Sequence, residues 1–152
     1  MAELKLDDKD FDILAALREN SRQSVIQLAR KTRIPPTTIH NRVKKLRESG
    51  VIEGYGIRLN KEKMGFSTCA LVSVFLDNNL LETSSKKGGL AERLFKHPRV
   101  DEVFETTGSV DIIVKVLGKD IKEITDTVIN HIREVKGVAR TETVIALSNR
   151  QK

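Results

Sequence analysis

The sequence predicts an α+β protein with an N-terminal helix-turn-helix (winged-helix-like) domain followed by a ferredoxin-like domain of the order βαββαβ. Two observations predict this class. Helix caps and helical apolar spacing occupy the first 50 residues, and the spacing then changes to that of short strands alternating with helices. A length of 152 residues allows two small domains. We expect the helix-turn-helix domain at residues 1–53, a strand and linker at 54–66 and the ferredoxin-like domain at 67–152.

Three short helices are predicted in the first domain. Asp7 can cap the first helix, because its carboxylate can accept hydrogen bonds from the free amides of the opening turn. Ser24, with Gln27 three residues later, forms the capping box of a second helix. Pro36 suits the first position of a third helix, and Gly50 ends it.

The third helix carries the functional signal. Ile39, Val43 and Leu46 are spaced i, i+4, i+7 and form one apolar stripe, which leaves a polar and basic face opposite. A solvated amphipathic helix would show the same pattern. The capped helix before it and the tight break at Pro35 favour instead a helix-turn-helix over residues 24–43.

Positive charge is concentrated in the same segment. The chain carries a net charge of +6. Residues 21–60 alone hold nine Lys or Arg against two Asp or Glu, a net charge of +7. This distribution indicates a polyanionic partner, and together with the helix pattern it predicts binding to double-stranded DNA.

A helix docked in the major groove brings its first turns to base edges and its flanks to phosphates. An Asn amide can pair bidentately with adenine, and a Thr methyl can touch thymine. The candidates for base contact are Thr37, Thr38, His40 and Asn41. Phosphate contacts contribute affinity without sequence information. The candidates for them are Ser24, Lys31, Arg33, Arg42, Lys44 and Lys45. For Arg42, a salt bridge inside the domain is the alternative.

Residues 51–59 alternate between apolar and polar or glycine positions, which predicts a strand. In the second domain we predict strands at 70–76, 100–107, 111–117 and 138–147, with helices at 90–97 and after Asp120. Residues 82–89 are polar and are predicted to form a loop. A sheet this small leaves one face open, and a second subunit is its simplest cover.

Gly108 permits a tight turn between two of these strands. The plain interpretation is a turn glycine followed by a solvated Asp111. The alternative is a binding site for an amino acid, in which Asp111 accepts from the ammonium group and backbone amides of residues 108–110 meet the carboxylate.

The run from Leu6 to Asn60 resembles the N-terminal domain of the Lrp/AsnC ("feast/famine") regulators. The likeness is closest at Leu6-Asp7, at Leu28-Ala29, at residues 42–46 and at Gly50-Val51-Ile52. Residues 103–116 resemble the family's glycine-x-x-aspartate strand-turn-strand. Pro35 departs from the family, which usually has a serine-like cap there.

The resemblance covers almost the whole chain and implies a DNA-binding transcription regulator. It implies a homodimer, or a tetramer or octamer built from it, with a small effector, usually an amino acid, bound between the sensing domains. The effector residues that it implies here are Gly108, Ser109, Val110 and Asp111.

Other function classes have less support. The three histidines fall in separate elements, and no HExxH, P-loop or GxGxxG motif occurs, so we expect no enzyme, cofactor or metal. Two alternatives stay open: an architectural DNA-binding protein without an effector, and a sirohaem decarboxylase similar to the family. Cys69 is the only cysteine, which excludes an internal disulfide. With no long apolar stretch or signal peptide, we expect a cytoplasmic protein without a membrane partner.

Overall fold

A computed structural model describes residues 5–77 and 87–148 of the chain. The chain divides into two compact units, Met1–Arg58 and Leu59–Lys152. The helices of the first unit are α1 (Asp8–Glu19), α2 (Val25–Thr32) and α3 (Pro36–Glu48). The second unit contains, in chain order, a 3-10 turn (Glu62–Met64), β1 (Thr68–Leu76), α4 (Lys87–Phe95), β2 (Val100–Glu105), β3 (Ile112–Gly118), α5 (Ile121–Thr127), a π-helical turn (Val128–Ile132) and β4 (Val138–Ala146).

The predicted caps of the first two helices are confirmed. Asp7 accepts a 3.0 Å hydrogen bond from the Asp10 amide, and the Asp10 carboxylate accepts one of 3.1 Å from the Asp7 amide. Ser24 and Gln27 form the same reciprocal pair, with bonds of 3.2 and 2.8 Å. Each box satisfies two backbone donors that a helix start otherwise leaves unpaired. Both helices therefore begin where the sequence places them.

The apolar stripe of α3 forms part of the core of the first unit. Ile39 is fully buried and packs in a cluster with Ile13 and Leu28, while Val43 packs half-buried against them. Leu46 is also buried. Burying side chains of this size contributes roughly 1.5–3 kcal/mol each. The stripe thus fixes which face of α3 remains outside.

The strand predicted at residues 51–59 is absent from this single chain. The segment has no regular secondary structure, and Val51, Tyr55, Ile57 and Leu59 are 40 to 82% exposed. A strand requires the backbone of a second strand as its hydrogen-bonding partner, and the described residues provide none for this segment. The alternating pattern is present, but it is unpaired.

The second unit is an antiparallel four-stranded sheet in the order β2-β3-β1-β4. Helices α4 and α5 cover one face, where Leu94 and Ile124 pack against Val72 and Val114 in one buried cluster. The predicted βαββαβ order and ferredoxin-like arrangement are confirmed. On the opposite face Leu71, Phe104 and Val144 are 44 to 63% exposed, so the described chain leaves that face open.

The loop predicted at residues 82–89 needs correction at its end. Helix α4 already begins at Lys87, so residues 87–89 are helical. Leu90 and Leu94 are buried one helical turn apart and anchor the helix on the sheet. That anchoring outweighs the roughly 1 kcal/mol that a glycine costs within a helix. Residues 82–86 lie outside the described part of the chain.

Candidate DNA interface and effector site

The outer face of α3 presents the polar groups predicted for base contact. Thr37, His40 and Asn41 are exposed, and Thr38 is half-buried at the margin of this face. Pro35 precedes the helix and makes no side-chain cap. The first two turns of α3 therefore offer hydroxyl, imidazole and amide groups on a helix whose other side is held in the core.

Exposed cations flank these groups. Lys44 lies 3.8 Å from Glu48, and Lys31 pairs with Glu19. Surface pairs of this kind contribute only about 0–1 kcal/mol, so a phosphate can replace the carboxylate. Lys45 and Arg33 are exposed and form no ion pair with any described residue. These four side chains are available to a polyanion.

Arg42 is engaged inside the domain. One guanidinium nitrogen lies 2.7 Å from Asp7 and 2.7 Å from Asp10. Hydrogen bonds to Asp10 and Asp7 raise the pKa of Arg42, and the bond from Arg42 lowers the pKa of Asp7. The capping box of α1 fixes both carboxylates, so they compete with any phosphate. The structure favours the internal salt bridge over the predicted phosphate contact, and the bridge holds α3 against the start of α1.

Ser24 lies at the start of α2 and is exposed. Its hydroxyl oxygen accepts from the Gln27 amide as a cap. The hydroxyl hydrogen makes no bond to a described residue. Ser24 thus combines the structural role of a cap with a free donor.

The turn between β2 and β3, residues 106–111, contains the residues predicted for an effector; we call it the sensing turn. Gly108 adopts φ +113°, in the region that favours glycine. Thr106 donates through its amide to the Asp111 carbonyl (2.9 Å) and through its hydroxyl to the Val110 carbonyl. Ser109 is exposed. The described chain provides no acceptor for the amides of residues 108–110.

Asp111 is more than a solvated aspartate. Its carboxylate accepts a 3.0 Å hydrogen bond from the Leu76 amide at the end of β1. Its own amide donates to the Val74 carbonyl at 3.3 Å. Asp111 is half-buried and ties the sensing turn to the neighbouring strand. The sequence could not reveal this contact, because its partners lie 35 and 37 positions away.

Two side-chain groups were missed by the sequence interpretation. The rings of His97 and His131 lie 4.3 Å apart, although the histidines occupy separate elements. Lys115, buried in β3, contacts two carboxylates of β2. Burial, followed by the charges of His131 and Arg99, lowers the pKa of His97.

Within residues 5–77 and 87–148, no three His, Cys, Asp or Glu side chains are grouped closely enough to hold a metal ion. None of the helices in that part of the chain has the length and hydrophobicity needed to cross a membrane. Burial raises the pKa of the Cys69 thiol.

Comparison with known proteins accounts for both units. Residues 6–53 match the winged helix-turn-helix DNA-binding family, and residues 69–152 match the Lrp/AsnC ligand binding domain. An uncharacterised HTH-type transcriptional regulator of Pyrococcus furiosus is 38% identical over 146 residues, which cover 96% of this chain and 95% of the relative.

Solved structures agree in fold over almost the full length. The AsnC protein of E. coli superposes with a TM-score of 0.83 at 29% identity, covering 98% of this chain and 97% of that one. A transcriptional regulator from Neisseria meningitidis, solved as a complex with L-Met, has a TM-score of 0.83 at 22% identity and covers 97% and 94%. The helix-turn-helix, the ferredoxin-like sheet and these matches lead to one conclusion: the chain belongs to the Lrp/AsnC family of transcriptional regulators.

Proposed function

We propose that this regulator reads base edges in the major groove with the outer face of α3. The observation that carries the proposal is the division of α3 into a buried stripe and an exposed face with Thr37, His40 and Asn41. Thr38 contributes from the margin of that face. Ser24, Lys31, Arg33, Lys44 and Lys45 contact phosphates, whereas Arg42 positions the helix through Asp7 and Asp10.

The protein acts as a homodimer, either alone or within a tetramer or octamer. Two surfaces support this: the open sheet face with Leu71, Phe104 and Val144, and the unpaired alternating segment 51–59. A twofold dimer presents two α3 helices to half-sites about 10–10.5 base pairs, or a multiple, apart. It acts in the cytoplasm and catalyses no reaction.

The test separates base reading from phosphate binding. A preferred site is first selected from random duplexes, and binding to it and to random DNA is then titrated at several salt concentrations. Asn41→Ala should weaken the selected site by roughly 1–3 kcal/mol more than random DNA. Lys45→Ala should weaken both alike and lower the salt slope by about one unit for each subunit that places Lys45 on a phosphate.

The two variants are matched, because both residues are exposed on the same helix. Equal losses on both DNAs for Asn41→Ala would exclude its role in base reading. If selection enriches no sequence at all, the protein is an architectural DNA-binding protein and the proposal of sequence specificity fails.

The sensing turn binds an amino-acid effector. Gly108, Ser109 and Val110 offer backbone amides to the carboxylate of the amino acid, and the Asp111 carboxylate accepts from its ammonium group. The L-Met complex of the Neisseria regulator supports this ligand class. An effector regulates only if it favours one state over another, which makes its binding and DNA binding reciprocal.

Isothermal titration with each of the twenty amino acids tests the site. Binding heat should appear with at least one of them in the wild type and disappear in Asp111→Ala. Since Asp111 also holds the Leu76 amide, melting curves must first show that this variant is folded. Ser109→Ala, which leaves the backbone amides in place, is the matched control and should still bind. Absence of heat with all twenty would reject the site.

A further inference from the structure

Four charged side chains form a continuous chain of contacts in the second unit; we call them the ion cluster. Lys61 lies 2.6 Å from Asp101. The other oxygen of Asp101 lies 3.0 Å from Lys115, and Lys115 lies 2.7 Å from Glu102. Two ammonium groups thus alternate with two carboxylates, and the cluster is neutral overall.

A β-bulge builds this cluster. Consecutive residues of a regular strand point to opposite faces, so neighbouring carboxylates would not reach the same lysine. In β2 the register shifts between Val100 and Glu102: Val100 pairs with Val116, and Glu102 already pairs with Lys115. Asp101 is the additional residue, and a bulge redirects side chains in this way. Both Asp101 and Glu102 therefore meet Lys115.

Two side chains of the ion cluster are largely shielded from water, which strengthens their electrostatic contacts. The Lys115 side chain is only 8% exposed, and that of Asp101 is 17% exposed. Burial alone would raise the pKa of Asp101, but hydrogen bonds from Lys61 and Lys115 lower it overall. Burial alone would lower the pKa of Lys115, but Glu102 and Asp101 raise it overall. Asp101 and Lys115 therefore stay charged at neutral pH, and losing one contact leaves a partly buried charge uncompensated.

Within the second unit, the cluster connects the strands of the sensing turn with the residues that follow the first unit along the chain. Asp101 and Glu102 are on β2 and Lys115 is on β3, the two strands that the sensing turn joins. Lys61 opens the 3-10 turn and follows Arg58, the last residue of the first unit, by three positions. If β2 slides along β3 at the sensing turn, the distances from the Asp101 carboxylate to the ammonium groups of Lys115 and Lys61 change.

We propose that Asp101 and Lys61 are positioning residues that transmit the state of the sensing turn to residues 59–61, the segment that directly follows the DNA-binding unit. The bulge allows β2 to shift, and the ion pair between Asp101 and Lys61 moves the segment that contains Lys61 with it. This inference rests on the proposed function, because it supplies the regulatory link between effector site and DNA binding.

Reciprocity allows a test without knowing the effector. If the turn affects DNA affinity, bound DNA must affect the turn. Amide hydrogen exchange of residues 106–111 is measured in the full-length protein with and without a saturating 40-base-pair random-sequence duplex at low salt. In the wild type, DNA should change exchange there by about fivefold or more, the lower end of typical coupling.

Lys61→Met should abolish that change, and Asp101→Asn, which keeps the side-chain shape, should do the same. Lys63→Met is the matched control: Lys63 lies in the same 3-10 turn, is exposed and makes no ion pair with a described residue, so its response should equal that of the wild type. Melting curves and binding titrations establish that each variant folds and binds the duplex. If a variant folds and binds but has lost the exchange response, a merely structural role of the cluster cannot explain the loss.

The outcomes separate the two claims. If the wild type binds DNA but exchange at residues 106–111 does not change, the coupling is refuted while the DNA-binding function stands. If Lys61→Met and Asp101→Asn respond like the wild type, coupling does not run through the ion cluster. If the wild type does not bind the duplex, the proposed function and this inference both fail.

Discussion

Replacing Arg33 by glycine should stabilise the protein and weaken its binding to DNA. Arg33 ends α2 with φ +59° and is the one non-glycine residue with positive φ in the described part of the chain. The left-handed region costs an L-residue roughly 1–2 kcal/mol. Glycine avoids that cost but loses about 0.5–1 kcal/mol through the greater freedom of the unfolded chain. The expected gain in unfolding free energy is therefore about 0–1.5 kcal/mol.

The effect on DNA has the opposite sign. The exposed Arg33 guanidinium forms no hydrogen bond or ion pair with any described residue, so its removal costs the folded protein little. Each lost phosphate contact lowers the salt slope by about 0.9. If both subunits of a dimer place Arg33 on a phosphate, the salt slope of Arg33→Gly should be about 1.8 lower than that of the wild type. Raising the salt concentration from 50 to 200 mM should therefore reduce the ratio of wild-type to variant affinity about 12-fold.

Urea unfolding and fluorescence anisotropy titrations on duplex DNA measure the two effects. Arg33→Lys is the control, because it keeps the charge and the backbone strain while losing the planar guanidinium. An unchanged salt slope in Arg33→Gly would refute the phosphate contact. A loss of stability would refute the reasoning about strain.

Two further predictions concern stability. Leu46→Ala should lower the unfolding free energy of the first unit by about 2–5 kcal/mol, because it leaves a cavity beneath α3. Urea unfolding measures this loss, and a value below about 1 kcal/mol would contradict the burial of the apolar stripe. The lowered pKa of His97 means that its neutral form is favoured in the folded state. Its contribution is complete above the unfolded-state pKa of about 6.5 and is lost as the pH falls through the lower folded-state value. Melting temperatures between pH 7.5 and 5 should therefore fall more steeply for the wild type than for His97→Gln; equal slopes would count against the effect.

The sequence was informative where the physics is local. The Asp7 and Ser24 caps involve partners three residues away, and the Ile39–Leu46 stripe follows from helical periodicity, so both were predictable. The order of strands and helices also followed from changes in apolar spacing.

Features that depend on distant partners were not predictable in the same way. Whether Arg42 meets a phosphate or a carboxylate depends on Asp7 and Asp10, 35 and 32 positions away. The His97–His131 contact joins residues 34 positions apart. Residues 51–59 have the alternation of a strand, but alternation alone does not supply a backbone partner.

The ion cluster could not be predicted from the sequence for a different reason. Alternation would place Asp101 and Glu102 on opposite faces of β2, and a one-residue bulge reverses that expectation. No turn or glycine in the sequence marks the bulge. Its existence follows from the pairing of β2 with β3, which only the folded sheet defines.

Protection of guanine N7 from methylation on a selected duplex tests the central claim most directly, since N7 lies in the major groove. If α3 reads the major groove from a twofold dimer, the wild type should protect two patches about 10–10.5 base pairs, or a multiple, apart. Asn41→Ala should weaken both patches together. Unprotected N7 positions under a fully bound duplex, or protection spread evenly with no preferred patch, would contradict the assignment of α3 as the recognition helix.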